Sequence, residues 1–346
     1  MKSFASDNYA GAHPAVLEAV AAANADHARA YGADPWTERV EARLREAFGP
    51  QARAFLVFNG TGANVLAIRA AIGRASAVIC AESAHIAVDE GAAPEHVAGV
   101  KLMTVPTADG KIEPADVEAR CVRLGDEHAA QPGLVSISQS TELGTLYAPD
   151  EIAALAEAAH ERGLALHLDG ARLAHAAAAL DLPLRALTTD VGVDVVCLGG
   201  TKVGAIGVEA VVFLRPDLAE GVPYLRKQSL QLASKQRYLA AQLDALLEGE
   251  RWRELAGHAN AMAARLAAAL DGVDGLRITQ AVQANVVFAI LPPEVTERLQ
   301  RDWPFYVWDP ATGEVRWMCS WDTTPDEVDA FAADVRAALA AATPAA

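Results

Sequence analysis

Two apolar segments of the sequence each lead into a charged residue that lies beside glycines. The segment Leu166–Arg172 contains Asp169, and the segment Cys197–Gly204 contains Lys202. Each segment is typical of a buried strand that ends in a cleft, because ligands bind beyond the carboxyl ends of the strands in open α/β sheets. A lysine in that place can form a Schiff base, and a nearby aspartate can pair with a protonated ring nitrogen. The two residues therefore outline a pyridoxal phosphate site, with an exposed turn lysine and a helix-capping aspartate as the alternatives.

A glycine-rich turn, Asn59–Asn64, follows an earlier predicted strand, Ala54–Phe58. A helix is predicted to begin at this turn, and the free N–H groups at a helix N-terminus attract anions. The turn therefore predicts a phosphate site, with a plain strand-to-helix turn as the alternative. The dinucleotide fingerprint is excluded because Val65 stands where its third glycine belongs, and the chain has no GxxxxGK[ST] motif.

A histidine and an acid follow the next predicted strand, Ala77–Cys80. They are His85 and, five residues later, Glu90. A histidine just past a strand end can lie flat on an aromatic ring or transfer protons. The alternative is a structural histidine with satisfied hydrogen bonds.

Predicted strands and helices alternate from about residue 50 to about residue 215, and these elements must position the residues named above. This alternation predicts a mostly parallel sheet covered by helices on both faces. Its further strands are predicted at Val100–Val105, Leu134–Ser138, Leu164–Asp169, Val193–Leu198 and Ala210–Leu214. Later segments predict the helices Tyr224–Leu247, Trp252–Leu270 and Pro325–Leu339 and the strands Leu276–Thr279, Asn285–Leu291 and Val315–Cys319. We expect an N-terminal arm and helix over residues 1–30, a large α/β domain over residues 31–247 and a small α+β domain over residues 248–346.

The composition argues against several classes of partner. The 346 residues include 29 Lys and Arg against 45 Asp and Glu, a net charge of −16, which disfavours nucleic acid and anionic membranes. The four cysteines form no CxxC pair, as expected in a reducing compartment. No apolar segment approaches the ~20 residues that a bilayer crossing needs, and no signal segment is evident. We expect a cytoplasmic protein.

Taken in order, these segments resemble the threonine aldolases of the β-eliminating lyase group, which are pyridoxal phosphate enzymes. The matching segments span nearly the whole chain and are Phe4–Tyr9, Tyr31–Asp34, Phe58–Asn64, Ala84–His85, His167–Arg172, Gly199–Lys202, Leu232–Lys235 and Met318–Asp322. The resemblance implies an aspartate-aminotransferase-like large domain (fold type I) with a mostly parallel seven-stranded sheet. It also implies retro-aldol cleavage of L-threonine, L-allo-threonine and other β-hydroxy-α-amino acids to glycine and an aldehyde.

The resemblance assigns the cofactor contacts residue by residue. Lys202 would carry the cofactor, Asp169 would keep its ring nitrogen protonated and His85 would stack on the ring. The remaining cofactor residues are expected to be Gly60, Thr61, Gly62, Arg172, Thr201 and, from a neighbouring subunit, Lys235. The better-known branch of the family has SKG where Gly200–Val203 stands, and it has a glycine-rich segment ending in arginine where Gln231–Lys235 stands.

The same resemblance assigns the substrate contacts. The residues are Ser6, Arg172 and Arg316 at the carboxylate, His128 near the hydroxyl and Tyr31 from the partner subunit. The base that removes the β-hydroxyl proton stays open among His85, His128 and Glu90. A shared site implies a homodimer as the minimal unit, and the family usually forms tetramers. No metal ligands are assigned.

Two other interpretations stay open. The first keeps the cofactor and changes the reaction to that of a phenylserine aldolase, a β-eliminating lyase, an amino-acid racemase or an aminotransferase, which differ in their products. The second is a non-enzymatic relative with a binding role. Such a relative is expected to have lost Lys202 or Asp169, and both are present.

Overall fold

The structure is a computed structural model that describes residues 3–73 and 76–342, so residues 1–2 and 343–346 of the predicted terminal segments lie outside it. Its larger sheet has seven strands in the order β1-β7-β6-β5-β4-β2-β3. Their bounds are β1 Arg53–Val57, β2 Ser76–Ala81, β3 Lys101–Val105, β4 Gln131–Ser138, β5 Ala165–Gly170, β6 Val195–Gly199 and β7 Glu209–Phe213. Strand β7 is antiparallel to both of its neighbours, and the pairs from β6 to β3 are parallel. The predicted mostly parallel seven-stranded sheet is therefore confirmed.

Helices surround this sheet and continue into the C-terminal region. Their bounds are α1 Pro14–Ala22, α2 Pro35–Phe48, α3 Gly60–Ala71, α4 His85–Val88, α5 Pro114–Arg120, α6 Pro149–His160, α7 Leu173–Leu180, α8 Val222–Gln228, α9 Arg237–Leu247, α10 Arg251–Leu270, α11 Pro293–Leu299 and α12 Pro325–Ala342. Caps of the expected kind begin several of them; the Asp34 carboxylate, for example, accepts a hydrogen bond of 2.9 Å from the Thr37 N–H at the start of α2. None of the helices in the described ranges is long and apolar enough to cross a bilayer.

The predicted continuous helix Tyr224–Leu247 is wrong, because the chain breaks between α8 and α9. Leu230 takes a left-handed backbone conformation with φ +63°, which a helix does not tolerate. The Gln231 side chain accepts a 2.9 Å hydrogen bond from the Phe58 N–H, next to the glycine-rich turn. This tertiary contact outweighs the helical pattern of the sequence.

A second, antiparallel sheet of four strands lies in the C-terminal region. Its order is β10-β11-β9-β8, and its strands are β8 Arg277–Ile278, β9 Val286–Ile290, β10 Tyr306–Asp309 and β11 Glu314–Met318. The strand β10 and the helices α4, α7 and α11 were not predicted from the sequence. Phe4 of the N-terminal arm stacks on Phe331 of α12 at 4.5 Å, so the arm belongs to the core beside this sheet.

Candidate active site

Asp169 and Lys202 lie at the carboxyl ends of adjacent parallel strands. Asp169, on β5, pairs with Cys197 of β6, and Lys202 lies in the short 3₁₀ turn that follows β6. The chain passes so closely here that a Cβ on Gly199 would meet the Ala171 carbonyl oxygen at 2.4 Å, which explains the glycine. Burial lowers the pKa of the Lys202 amine, as does the charge of Arg172. A lysine with a lowered pKa is a better nucleophile, as Schiff-base chemistry requires.

Asp169 is held in its charged form by hydrogen-bond donors. Its Oδ1 accepts from the Ala171 N–H at 3.0 Å, and its Oδ2 accepts from the Asn64 side-chain amide at 2.8 Å. Burial by itself would raise the pKa of Asp169, but these donors and the nearby His167 and Lys202 lower it below its usual value. An ionised aspartate is what a protonated ring nitrogen needs as a partner.

His85 begins α4 and is supported by two acids. Its Nδ1 lies 2.9 Å from Glu90 Oε1, and its backbone N–H donates to Glu142 Oε1 at 2.8 Å. The hydrogen bond to Glu90 raises the pKa of His85 above its usual value, although burial opposes this. The structure thus brings His85 and Glu90 together, and it gives Glu90 contacts to His85 and Asn64.

The glycine-rich turn forms the N-terminus of α3. The Asn59 side chain caps this helix by accepting from the Gly62 N–H at 2.8 Å. A Cβ on Gly60 would meet no atom within 4 Å, so open space lies over the turn, whereas a Cβ on Gly62 would collide with Gln231 at 2.4 Å. This N-terminus can receive a phosphate, and Gln231 lies against it.

The two arginines that the sequence assigned to the carboxylate differ in whether they already have an acidic partner. Arg172 already forms a two-pronged ion pair with Asp7, with distances of 2.8 Å from Nε and 3.0 Å from an Nη atom. Although burial lowers it, the pairing with Asp7 raises the pKa of Arg172. Arg316 donates to the Ala5 carbonyl at 3.2 Å, and its buried Nε has no hydrogen-bond partner among the described residues. Burial, together with the charge of Arg172, lowers the pKa of Arg316 to about 10. Of the two, Arg316 is therefore the guanidinium that keeps a buried donor without a partner in the described chain.

Aromatic side chains flank Arg316. Its guanidinium lies 4.8 Å from the ring centre of Trp308 and 5.5 Å from that of Tyr306. These three residues, with Val88 and Ser83, help to line an open cavity of about 510 Å³. The cavity can accept a side chain attached to a molecule whose carboxylate binds Arg316.

Four predicted site residues form no hydrogen bond or ion pair with Lys202 in the described chain. His128 lies in an exposed loop at the amino ends of the strands, beside Lys101 of β3 and Pro132 of β4, whereas Lys202 follows the carboxyl end of β6. Ser6 lines a separate cavity with Ser320, and its hydroxyl accepts from the Asn8 N–H at 3.2 Å.

The other two residues lie on the surface near each other. Tyr31 is 53% exposed, and its N–H donates to the Ser234 carbonyl at 2.9 Å. Lys235 is exposed and lines a cavity of about 570 Å³ together with Arg29. Thr201, by contrast, lies next to Lys202, where its hydroxyl accepts from the Val208 N–H at 3.3 Å.

Sequence reasoning missed three polar residues of the site, which are Asp7, Asn64 and Glu142. Glu142 follows β4, and its Oε1 also accepts from the Ser138 hydroxyl at 2.7 Å. Burial raises the pKa of Glu142, and the charge of Asp169 acts in the same direction. The rule that polar residues beyond parallel strand ends belong to the site would have found Glu142, since it stands four residues after Ser138.

These residues fit pyridoxal phosphate. The site offers a buried amine, an ionised aspartate, a histidine held by acids and an open helix N-terminus. Two buried oxygens, Asn64 Oδ1 and Glu90 Oε2, have no hydrogen-bond partner in the described part of the chain. Lys202, Asp169, His85 and the Gly60–Gly62 turn would hold the cofactor, which supplies an electron sink for a substrate carbanion.

The fold and the site together define a pyridoxal-phosphate-dependent enzyme with an aspartate-aminotransferase-like fold. The aspartate aminotransferase of Thermus thermophilus has this fold with a TM-score of 0.69 at 17% identity, covering 97% of this chain and 90% of that one. The threonine aldolase of Leishmania major is more similar, with a TM-score of 0.93 at 32% identity over 98% of this chain and 100% of that one.

Residues 3–291 match the beta-eliminating lyase family, and the chain belongs to that family. A low specificity L-threonine aldolase from Pseudomonas aeruginosa is 42% identical over 98% of this chain and 99% of its own length. A probable low-specificity L-threonine aldolase from Arabidopsis thaliana is 30% identical over 76% of this chain and 74% of its own length. The expected fold, family and cofactor are confirmed.

Proposed function

We propose that this protein cleaves L-threonine, L-allo-threonine and other β-hydroxy-α-amino acids to glycine and an aldehyde, which is acetaldehyde from threonine. The observation that carries the proposal is the meeting of Lys202 and Asp169 at adjacent strand ends, in a chain that resembles threonine aldolases over nearly its full length.

In this proposal, one set of residues binds the cofactor and another set binds the substrate carboxylate. Lys202 would hold the cofactor through its buried amine, and Asp169, held in its charged form, would keep the ring nitrogen protonated so that the ring can accept electrons from the substrate. Arg316 binds the substrate carboxylate in its guanidinium fork, because its buried Nε is without a partner in the described chain. Arg172 is already paired with Asp7 and contributes orientation more than free charge.

The β-hydroxyl proton goes to His85 in this proposal. Its Nδ1 contacts Glu90, so Nε2 is the ring nitrogen left for the substrate. Glu90 acts through His85, since its Oε1 contacts both His85 and Asn64. His128 lies at the amino ends of the strands, so in this proposal it can contribute only to the site of a neighbouring subunit.

A homodimer with shared sites, assembled further into a tetramer, is the assembly we propose. The large apolar side chains that the described chain exposes include Phe58, Ile206, Tyr224 and Leu230, and Tyr31, one of the residues expected to cross between subunits, is exposed as well. A partner that covers them would bury apolar surface and bring its own Tyr31 and Lys235 to the phosphate turn. We also propose the cytoplasm as the location and the division into residues 1–30, 31–247 and 248–346, which is supported by the two separate sheets.

The shared site has a direct test in subunit mixing. Lys202→Ala and Lys235→Ala variants are purified separately, mixed and allowed to exchange subunits. A hybrid dimer then contains one site with both lysines, so activity should recover to about a quarter of the wild-type level, given random pairing of a C₂ dimer. No recovery, from two variants that are each inactive alone, would place both lysines in the same subunit's site.

An aldolase that prefers aromatic substrates such as phenylserine is the second candidate. The observation in its favour is the cavity beside Arg316 that Tyr306 and Trp308 line. The ratio of kcat/KM for phenylserine and threonine separates the two candidates, and Trp308→Ala should lower the value for phenylserine more.

The deciding experiment measures acetaldehyde and glycine released from L-threonine by the purified protein with pyridoxal phosphate. Equal amounts of the two products support the aldolase. Pyruvate with ammonia, or a D-amino acid, would instead support a β-eliminating lyase or a racemase.

A further inference from the structure

One buried amide connects the two acids of the site. Asn64, in the second turn of α3, is 2% exposed, and its Nδ2 lies 2.8 Å from Glu90 Oε1 and 2.8 Å from Asp169 Oδ2. An amide nitrogen carries two hydrogens, and here each has a carboxylate acceptor. The opposite orientation of the amide would place its oxygen against two carboxylates, so the donor assignment follows from the contacts.

The contacts form a continuous chain of four side chains. It runs from Asp169, which would pair with the ring nitrogen, through Asn64 to Glu90 and on to His85 Nδ1 at 2.9 Å. Both carboxyl groups are buried, and a buried polar group needs a hydrogen-bond partner. Hydrogen bonds to charged groups are stronger than neutral ones, and leaving a buried charge without its donor is costly.

We propose that Asn64 is a positioning residue that fixes Asp169 and Glu90 with its two N–H donors, and that its contribution to cofactor binding is exerted through the ring nitrogen. The inference rests on the proposed function, because it takes Asp169 as the partner of that nitrogen. It differs from a plain core-packing role, in which Asn64 would stabilise the fold without any preference for the chemistry of the ring.

The two roles make different predictions for a cofactor analogue. In 1-deaza-pyridoxal phosphate a C–H group replaces the ring nitrogen, so the aldehyde and the phosphate remain while the partner of Asp169 is lost. Dissociation constants for pyridoxal phosphate and for this analogue are measured by absorbance titration of the apoprotein. The variants are Asn64→Leu, which has a similar shape without donors, and Asn64→Ser, which keeps one donor.

Gln131→Leu is the matched control. The Gln131 side-chain nitrogen also donates to more than one acceptor, including the Ala129 carbonyl at 2.9 Å and the Asp126 carbonyl at 3.0 Å, but it lies at the amino end of β4, whereas Asp169 lies near the carboxyl end of β5. This control should leave both dissociation constants at the wild-type values.

The expected result is a loss of discrimination between the two cofactors. Asn64→Leu should weaken pyridoxal phosphate binding about tenfold to a hundredfold, the range for a hydrogen bond to a charged group, and change analogue binding little. Asn64→Ser should lie between the wild type and Asn64→Leu. Because Ser is small and polar, it also tests the idea where Asn64→Leu does not fold.

Two outcomes would overturn the inference. Equal weakening of both cofactors would show a structural role, and unchanged constants would show that Asn64 does not support Asp169. The proposed function fails differently, through a wild-type protein that binds pyridoxal phosphate but releases no aldehyde from threonine, or that does not bind it at all.

Discussion

Replacing Arg316 with alanine should weaken the binding of amino-acid substrates while leaving the fold and the cofactor in place. The guanidinium lies between Trp308 and Tyr306, and its Nε is buried without a partner in the described chain. A charge-assisted hydrogen bond contributes about 1.5 to 3 kcal/mol, so the loss should raise KM about tenfold to a hundredfold. Arg316→Lys should recover only part of this, because an ammonium cannot form the two-pronged pair.

Replacing Arg172 should have a different effect from replacing Arg316, because Arg172 is already part of an ion pair. Its partner Asp7 is fully buried, so Arg172→Ala would leave an unpaired carboxylate in the interior. Breaking a buried ion pair from one side costs about 3 to 5 kcal/mol of unfolding free energy. We therefore expect Arg172→Ala to lower stability in denaturant unfolding, and Arg316→Ala to change it little.

The assay combines KM for L-threonine with the dissociation constant of glycine, measured from the change in cofactor absorbance. Glycine gives a true equilibrium constant, whereas KM equals a dissociation constant only when the chemical step is slow. An unchanged glycine constant in Arg316→Ala would refute the assignment of Arg316 to the carboxylate. A large loss of stability in that variant would show that Arg316 is structural.

Three further changes test the site. Lys202→Ala should abolish the absorption of the lysine-bound cofactor and nearly all turnover, and full activity would exclude the assignment. Since Glu90 raises the pKa of His85, the imidazolium persists to higher pH than usual. Glu90→Gln should therefore lower the pH at which His85 loses its proton, as measured by NMR titration of the apoprotein. An unchanged titration midpoint would contradict this. Glu142→Ala should reduce kcat about tenfold, which is less than the roughly 10²- to 10⁴-fold that an acid–base group itself contributes, while Glu142→Gln keeps an acceptor for the His85 N–H and most of the activity. Equal losses in the two Glu142 variants would contradict a positioning role.

The sequence predicted the parts of the site that follow from strand ends. Asp169 and Lys202 follow apolar segments whose length and composition are typical of buried parallel strands. Both lie, as expected, at the carboxyl ends of their strands. The glycine-rich turn was also predicted, because its spacing marks the passage from strand to helix. These features are local, so a single segment is enough to reveal each of them.

The residues that were missed depend on contacts between distant segments. Asp7 meets Arg172 across 165 positions of sequence, and Asn64 meets Asp169 across 105. Neither pairing has a local pattern. His128 was assigned to the site by resemblance, because its residue type suits the role. Its loop precedes β4, however, and therefore lies at the amino ends of the strands.

The N-terminal arm contacts both of the arginines proposed for the substrate carboxylate. Phe4 is anchored in the small-sheet core, where its carbonyl accepts from the Met318 N–H at 2.8 Å at the end of β11. The next residues then contact both arginines, Ala5 through its carbonyl to Arg316 and Asp7 through its carboxylate to Arg172. Arg316 belongs to the small sheet and Arg172 follows β5 of the large one, so the arm contacts a proposed carboxylate ligand from each sheet. The proposed ring contacts come from the strand ends of the large sheet, whereas the proposed carboxylate end also depends on the packing of the arm.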